Sequence, residues 1–177
     1  MMDYIEKIDK KARRLKHLSD HLFEYALVTG EDQVELEGPA LFQSVFFDTL
    51  SETAAYLEQQ GFSVELDFTW EDCSICFNRE YVVRVFDNLT SNVVKYADRS
   101  SPVRICSIYD QDLAGIEIEN RKALLEKPPE STKIGLHNIR GMMEKMNGRC
   151  QVEESEEKFR LILLFTQTSS QNRPSPV

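Results

Sequence analysis

Asp87-Asn88-Leu89-Thr90-Ser91-Asn92-Val93-Val94-Lys95-Tyr96-Ala97 sets two asparagines four residues apart, with a lysine and an aromatic close behind. Positions i and i+4 of a helix share a face. Asn88 and Asn92 therefore stack on one side, and Lys95 and Tyr96 lie a turn further on. Leu89, Val93 and Val94 occupy the other side and can seat the helix on a core. An amide oxygen is a hard ligand suited to Mg2+, which holds few protein ligands and keeps waters. An ammonium meets phosphate, and a flat ring packs on a base. The stretch thus has the groups that a Mg-nucleotide needs. A solvated polar stripe on an amphipathic helix has the same spacing.

Working outward, apolar spacing predicts this helix over 79–97. Before it, 62–68 alternates cleanly and 73–77 is short and apolar, which predicts two strands. Leu41, Val45, Phe46, Leu50, Ala54 and Leu57 give a further helix an apolar face. Pro39 suits its first turn, and Gly61 suits its C-terminal stop. After the asparagine helix come strands over 103–109 and 115–119, then an aperiodic loop over 120–134 broken by Pro128-Pro129. A helix over 135–147 closes at Gly148, and strands over 150–154 and 159–166 finish the pattern. Residues 2–28 read as one long helix, with Ile5, Ile8, Ala12, Leu15, Leu18, Leu22 and Tyr25 at three-four spacing. Such a seam needs a partner, in its own domain or in a second chain. The expected organisation is 1–29 helix, 30–38 linker, 39–166 domain and 167–177 disordered tail. The element order predicts an α+β fold, a two-layer α/β sandwich with helices on one face of a mixed sheet.

The chain has 177 residues and a formal charge of −9. That charge argues against nucleic acid as a main partner, because phosphate contact needs clustered cations. No apolar run reaches membrane-spanning length, and 1–16 is too charged for a signal peptide. A soluble, cytoplasmic chain without membrane contact is expected. Cys73 and Cys76 form a lone C-x-x-C, with Cys106 and Cys150 scattered. A zinc ribbon needs a second pair, so the thiols read as small hydrophobes.

Ser131-Thr132-Lys133-Ile134-Gly135-Leu136-His137-Asn138-Ile139-Arg140 leads from the loop into a helix N-terminus. Free backbone N–H groups and the helix dipole favour an anion there. Arg121, Lys122, Lys127 and Lys133 make the loop locally basic, which suits a polyanion.

The asparagine stretch resembles the N box of sensor histidine kinases, members of the ATPase superfamily shared with gyrase B, Hsp90 and MutL. The segment 131–140 resembles their G2 box, and Gly141-Met142-Met143-Glu144-Lys145-Met146-Asn147-Gly148 resembles the helix after it. Residues 12–25 resemble the second helix of the dimerisation and phosphotransfer domain. The resemblance runs to about residue 166 and implies the Bergerat ATP-binding fold. It implies ATP and Mg2+ as ligands, with Asn92 on the metal and Asn88 in support. It further implies Lys95 on phosphate, Tyr96 on adenine, Asn120 on the adenine amino group, and Thr132, Lys133, Gly135 and Leu136 along the phosphates. The implied reaction moves the γ-phosphoryl of ATP to a histidine, then to a response regulator's aspartate. The implied partners are the chain's own phosphotransfer domain, a response regulator and a second copy joined through the N-terminal helix.

Three departures stand out. Asn120 occupies the place of the G1 aspartate, and Ser131 and Lys133 replace G2 glycines. His17 and His21 lack the phosphoacceptor context, so the chain reads as starting between the two phosphotransfer helices and as inactive alone. Two other readings stay open: a degenerate interaction module without ATP, and a serine kinase of the anti-sigma-factor type.

Overall fold

In the stretch 116–119 isoleucine alternates with glutamate, and that alternation decides which face of the sheet is covered. The computed structural model describes residues 34–124 and 134–168, together with positions 8, 11, 12, 15, 18, 19, 22 and 26. Its elements run β1 (Glu37–Leu41), α1 (Phe42–Gln59), β2 (Val64–Asp67), β3 (Ser74–Phe77), α2 (Arg79–Tyr96), β4 (Val103–Asp110), β5 (Leu113–Arg121), α3 (Ile134–Lys145), β6 (Arg149–Glu154) and β7 (Lys158–Thr166). Five strands form one sheet in the order β2-β4-β5-β7-β6, parallel only between β2 and β4. β1 and β3 form a separate antiparallel pair. Ala114, Ile116 and Ile118 of β5 and Leu161, Leu163 and Phe165 of β7 point into one core with Phe42, Phe46, Leu89, Val93, Ile139 and Met142. The three helices therefore lie on one face of a mixed sheet, the two-layer α+β sandwich expected from the element order.

The open face carries the other register. Arg160 pairs with Glu117, Glu119 and Glu153, Lys158 with Glu119, and Arg104 with Glu65. Period-2 alternation sends these charges outward as surely as it sends Ile116 and Leu163 inward.

The entry to α1 differs from the sequence expectation. Pro39 lies in β1, and the helix begins at Phe42. Ala40 and Leu41 pair with Ile75 and Ser74, and the register slips between Glu37 and Ala40, where Gly38 and Pro39 sit. A bulge on an edge strand tolerates the missing proline N–H. Strand pairing, invisible to helical periodicity, thus claims residues 37–41, and Leu36 packs on the core. The domain begins inside the stretch read as linker. At the other end Gln167 bridges to Ile75, and Thr168 N–H bonds Ser74 O at 2.7 Å, so these two residues extend the fold rather than the tail. Residues 169–177 lie outside the described residues. Gly61 closes α1 at φ +86°, as expected of a helix stop.

Ile8, Leu15, Leu18 and Leu22 are on helical backbone and are 57–68% exposed. No helix among the described residues is long and apolar enough to cross a membrane.

Candidate nucleotide site

Helix α2 is pinned at both ends. At its start Asn78 caps it, with Oδ1 accepting from Tyr81 N–H at 3.0 Å, and Asn78 N–H meets Met146 Sδ. At its end Ala123 N–H bonds Tyr96 O at 2.8 Å, and Ala97 bridges Lys122. Val82, Val85, Phe86, Leu89 and Val93 bury its apolar stripe. With axis and rotation fixed, the polar face has one direction to point.

It points at the start of α3. A Cβ added to Gly135 would lie 3.6 Å from Asn88 Oδ1, 3.6 Å from Asn92 Oδ1 and 3.7 Å from Asn92 Nδ2. The two carboxamides and the first turn of α3 therefore share one small space, joining the two motifs that lie more than 40 residues apart in sequence. Asn88 Nδ2 donates to Arg84 O at 2.9 Å, which fixes the rotation of its carboxamide. The chemistry of this donor set fits a hydrated divalent cation: two amide oxygens, no charged protein ligand, and room left by a glycine. Backbone N–H groups at the α3 N-terminus add donors for an anion.

Asn120 is 5% exposed at the end of β5. Its Nδ2 donates to Arg121 O at 3.0 Å, and Asp98 N–H reaches the same oxygen at 2.8 Å. Asn120 thus sits beside the last turn of α2, which carries Tyr96. No described residue donates to Asn120 Oδ1.

Lys95 is less simply placed. It lines the rim of a groove of about 500 Å³ between α1 and α2, with Thr53, Tyr56, Thr90 and Val94. That groove is on the flank of α2 away from Asn92. Leu136 is half-buried against the core, in the first turn of α3. Thr132 and Lys133 lie outside the described residues, as do Lys127, His17 and His21. The locally basic loop is partly neutralised: Arg121 pairs with Glu157, and Lys122 Nζ meets Glu154 at 2.8 Å and Ser155 O at 2.9 Å. Ion pairing across to the β6–β7 hairpin could not be read from a local count of cations. The four cysteines are unpaired, and burial pushes the Cys150 thiol up to about 11. No metal-holding group of His, Cys, Asp and Glu forms among the described residues.

Sequence reasoning missed one residue of this region. Asn138, one turn beyond Gly135, is buried, and its Oδ1 has no hydrogen-bond partner among the described residues. A polar residue at a buried position of the α3 period was the available signal.

No family model matches the chain. The sensor histidine kinase YrkQ of Bacillus subtilis (strain 168) is 34% identical over 165 residues, 93% of this chain. The chain spans 38% of the length of that curated relative. Among solved structures, the histidine kinase AdeS of Acinetobacter baumannii superposes with a TM-score of 0.71 at 16% identity, covering 93% of this chain and 84% of that one. The histidine kinase ThkA, solved with the response regulator protein TrrA, gives 0.69 at 18% identity, covering 93% of this chain and 51% of that one. A nucleotide-free catalytic domain of ThkA gives 0.60 at 15% identity, covering 76% of this chain and 97% of that domain. These three similarities show the fold, that of histidine kinase catalytic domains. The sequence identity to YrkQ runs along nearly the whole chain, so the chain is similar to part of a sensor histidine kinase.

Proposed function

We propose that residues 39–166 bind Mg-ATP and serve as the catalytic domain of a kinase that phosphorylates a histidine for relay to a response regulator. The observation that carries this reading is the convergence of Asn88 and Asn92 on the first turn of α3 at Gly135. Asn92 Oδ1 would hold the Mg2+, with Asn88 in support. The backbone N–H groups of Gly135 and Leu136, with Thr132 and Lys133, would meet the phosphates. Asn120 Oδ1 would accept from the adenine amino group, and Tyr96 would stack on the base. Lys95 would reach a phosphate by swinging its flexible stem from the groove rim. The metal would neutralise phosphate charge, and catalysis of this type rests on positioning and electrostatics. The acceptor histidine would come from a phosphotransfer helix. The exposed stripe of Ile8, Leu15, Leu18 and Leu22 would join two copies into the bundle that presents it.

Calorimetric titration with ATP, with and without Mg2+, tests the reading. Mg-dependent binding that Asn92→Ala removes without lowering the unfolding temperature is the expected result. Unchanged affinity in that variant would sink the site assignment. The commitment of Arg121 and Lys122 to glutamates favours a second reading, a partner-binding module without nucleotide. Absence of binding up to millimolar ATP would select it.

A further inference from the structure

Asn138 lies in the second turn of α3 and is 1% exposed. Its Oδ1 is the one buried side-chain polar atom without a hydrogen-bond partner among the described residues. A buried acceptor left unpaired is costly and rare enough to need a reason.

Its position supplies one. Gly135 lies against Asn88 and Asn92, while Met146 Sδ meets the amide of Asn78 at the start of α2. The two helices therefore run antiparallel, and moving from Gly135 toward Met146 moves along α2 from Asn92 toward Asn88. Asn138, at i+3 from Gly135, comes level with the Asn88 end of the pair. Helical side chains lean toward their own N-terminus, so its amide leans back toward the turn that faces the asparagines. Asn88 has the complementary leftover. A carboxamide nitrogen carries two hydrogens. One goes to Arg84 O, and among the described residues the other meets no acceptor.

We propose that Asn138 is a positioning residue for Asn88: its unpaired Oδ1 takes the second amide hydrogen of Asn88 when Asn88 Oδ1 is drawn onto the metal–nucleotide. This rests on the Mg-ATP reading above. Contact of the Asn88 oxygen with a cation polarises its N–H groups and strengthens their donation. The new bond would fix the carboxamide with its oxygen toward the metal and close α3 onto α2.

The test combines thermal unfolding without ligand and calorimetric titration with ATP, with and without Mg2+. It uses the unsubstituted chain, Asn138→Leu, Asn138→Ala as a smaller apolar variant, Asn88→Ala, and the double variant Asn88→Ala with Asn138→Leu. The expected result is that Asn138→Leu unfolds at a higher temperature than the unsubstituted chain, because an unpaired acceptor has been removed. Both apolar variants should bind Mg-ATP about five- to tenfold more weakly, with ATP affinity in the absence of Mg2+ unchanged. In the Asn88→Ala background, Asn138→Leu should have no further effect on affinity. A lower unfolding temperature with unchanged Mg-ATP affinity would overturn the proposal and mark Asn138 as structural. Full additivity in the double variant would also overturn it. No binding by the unsubstituted chain would overturn the Mg-ATP reading and this proposal together, whereas equal binding by the unsubstituted chain and Asn138→Leu overturns this proposal alone.

Discussion

The seam between α2 and α3 and the charged part of the open sheet face are both polar, but they differ in what is left over. On the open face Arg160 answers Glu117, Glu119 and Glu153, and Lys158 answers Glu119, so the charges close on one another. Across the seam Asn88, Asn92 and Asn138 present amide oxygens that no described donor meets, one of them fully buried. A closed polar network contributes to holding a fold. An open one, held in place by a rigid surround, is arranged for a group that arrives from outside.

The sharpest way to break this contrast is at Asn92. Asn92→Ala should lower Mg-dependent ATP affinity by roughly a hundredfold, as expected for loss of a metal ligand, with the unfolding midpoint unmoved. Calorimetry and thermal unfolding together check it. A loss of stability in place of affinity would put Asn92 with the structural residues.

Two glycines sharpen the comparison further. Gly115 is on the open-face register, and a Cβ there would lie 2.5 Å from Leu163 O and 2.9 Å from a Leu164 methyl. Gly115→Ala should cost about 2–3 kcal/mol of stability by forcing β5 and β7 apart, read by urea denaturation. At Gly135 the nearest described neighbours of a Cβ are the two carboxamides, at ordinary contact distance. Gly135→Ala should raise stability by up to about 1 kcal/mol through helix propensity. It should weaken Mg-ATP binding roughly tenfold by filling the shared space, the size of one charge-assisted hydrogen bond lost. Equal effects of the two substitutions on stability would erase the distinction between the regions.

The smallest expected effect is on acid stability. Hydrogen bonds from Lys158 and Arg160 hold the Glu119 carboxyl below its ordinary value of 4.5. Glu119 is 14% exposed, so solvent screens these bonds only in part. A depressed carboxyl contributes stability that is present above about 4.5 and lost as pH falls through the lower folded value. Glu119→Gln should therefore flatten the acid limb of the stability curve below that pH. It should cost about 1 kcal/mol near neutrality. Unfolding midpoints measured between roughly pH 3 and 7 read both.

Much of this was legible before any coordinates. The i, i+4 asparagines with Leu89 and Val93 behind them specify a helix with one polar face, and the short apolar run 161–165 specifies a strand buried along its length. Ten elements follow β1, α1 and onward, and nine of them were legible from period and punctuation. β1 was not, because Gly38-Pro39 reads as the approach to a helix and only the partner strand β3 makes it a strand. The basic loop was misjudged in part for the same reason: Glu154 and Glu157 lie over 30 residues from the cations that they neutralise.

By itself, then, the sequence determined the local periods, the stops and the type of chemistry offered by Asn88, Asn92 and Asn120, because these depend on residues within a few turns of one another. Only the tertiary structure decided which groups remain unmatched. It turned Asn88 and Asn92 toward Gly135, brought Lys95 to the rim of the groove between α1 and α2, tied Lys122 to Glu154 and left Asn138 Oδ1 without a donor among the described residues. Whether a hydrogen-bonding group is satisfied depends on what is brought within about 3 Å of it, and that distance is set by the packing of elements far apart in the chain.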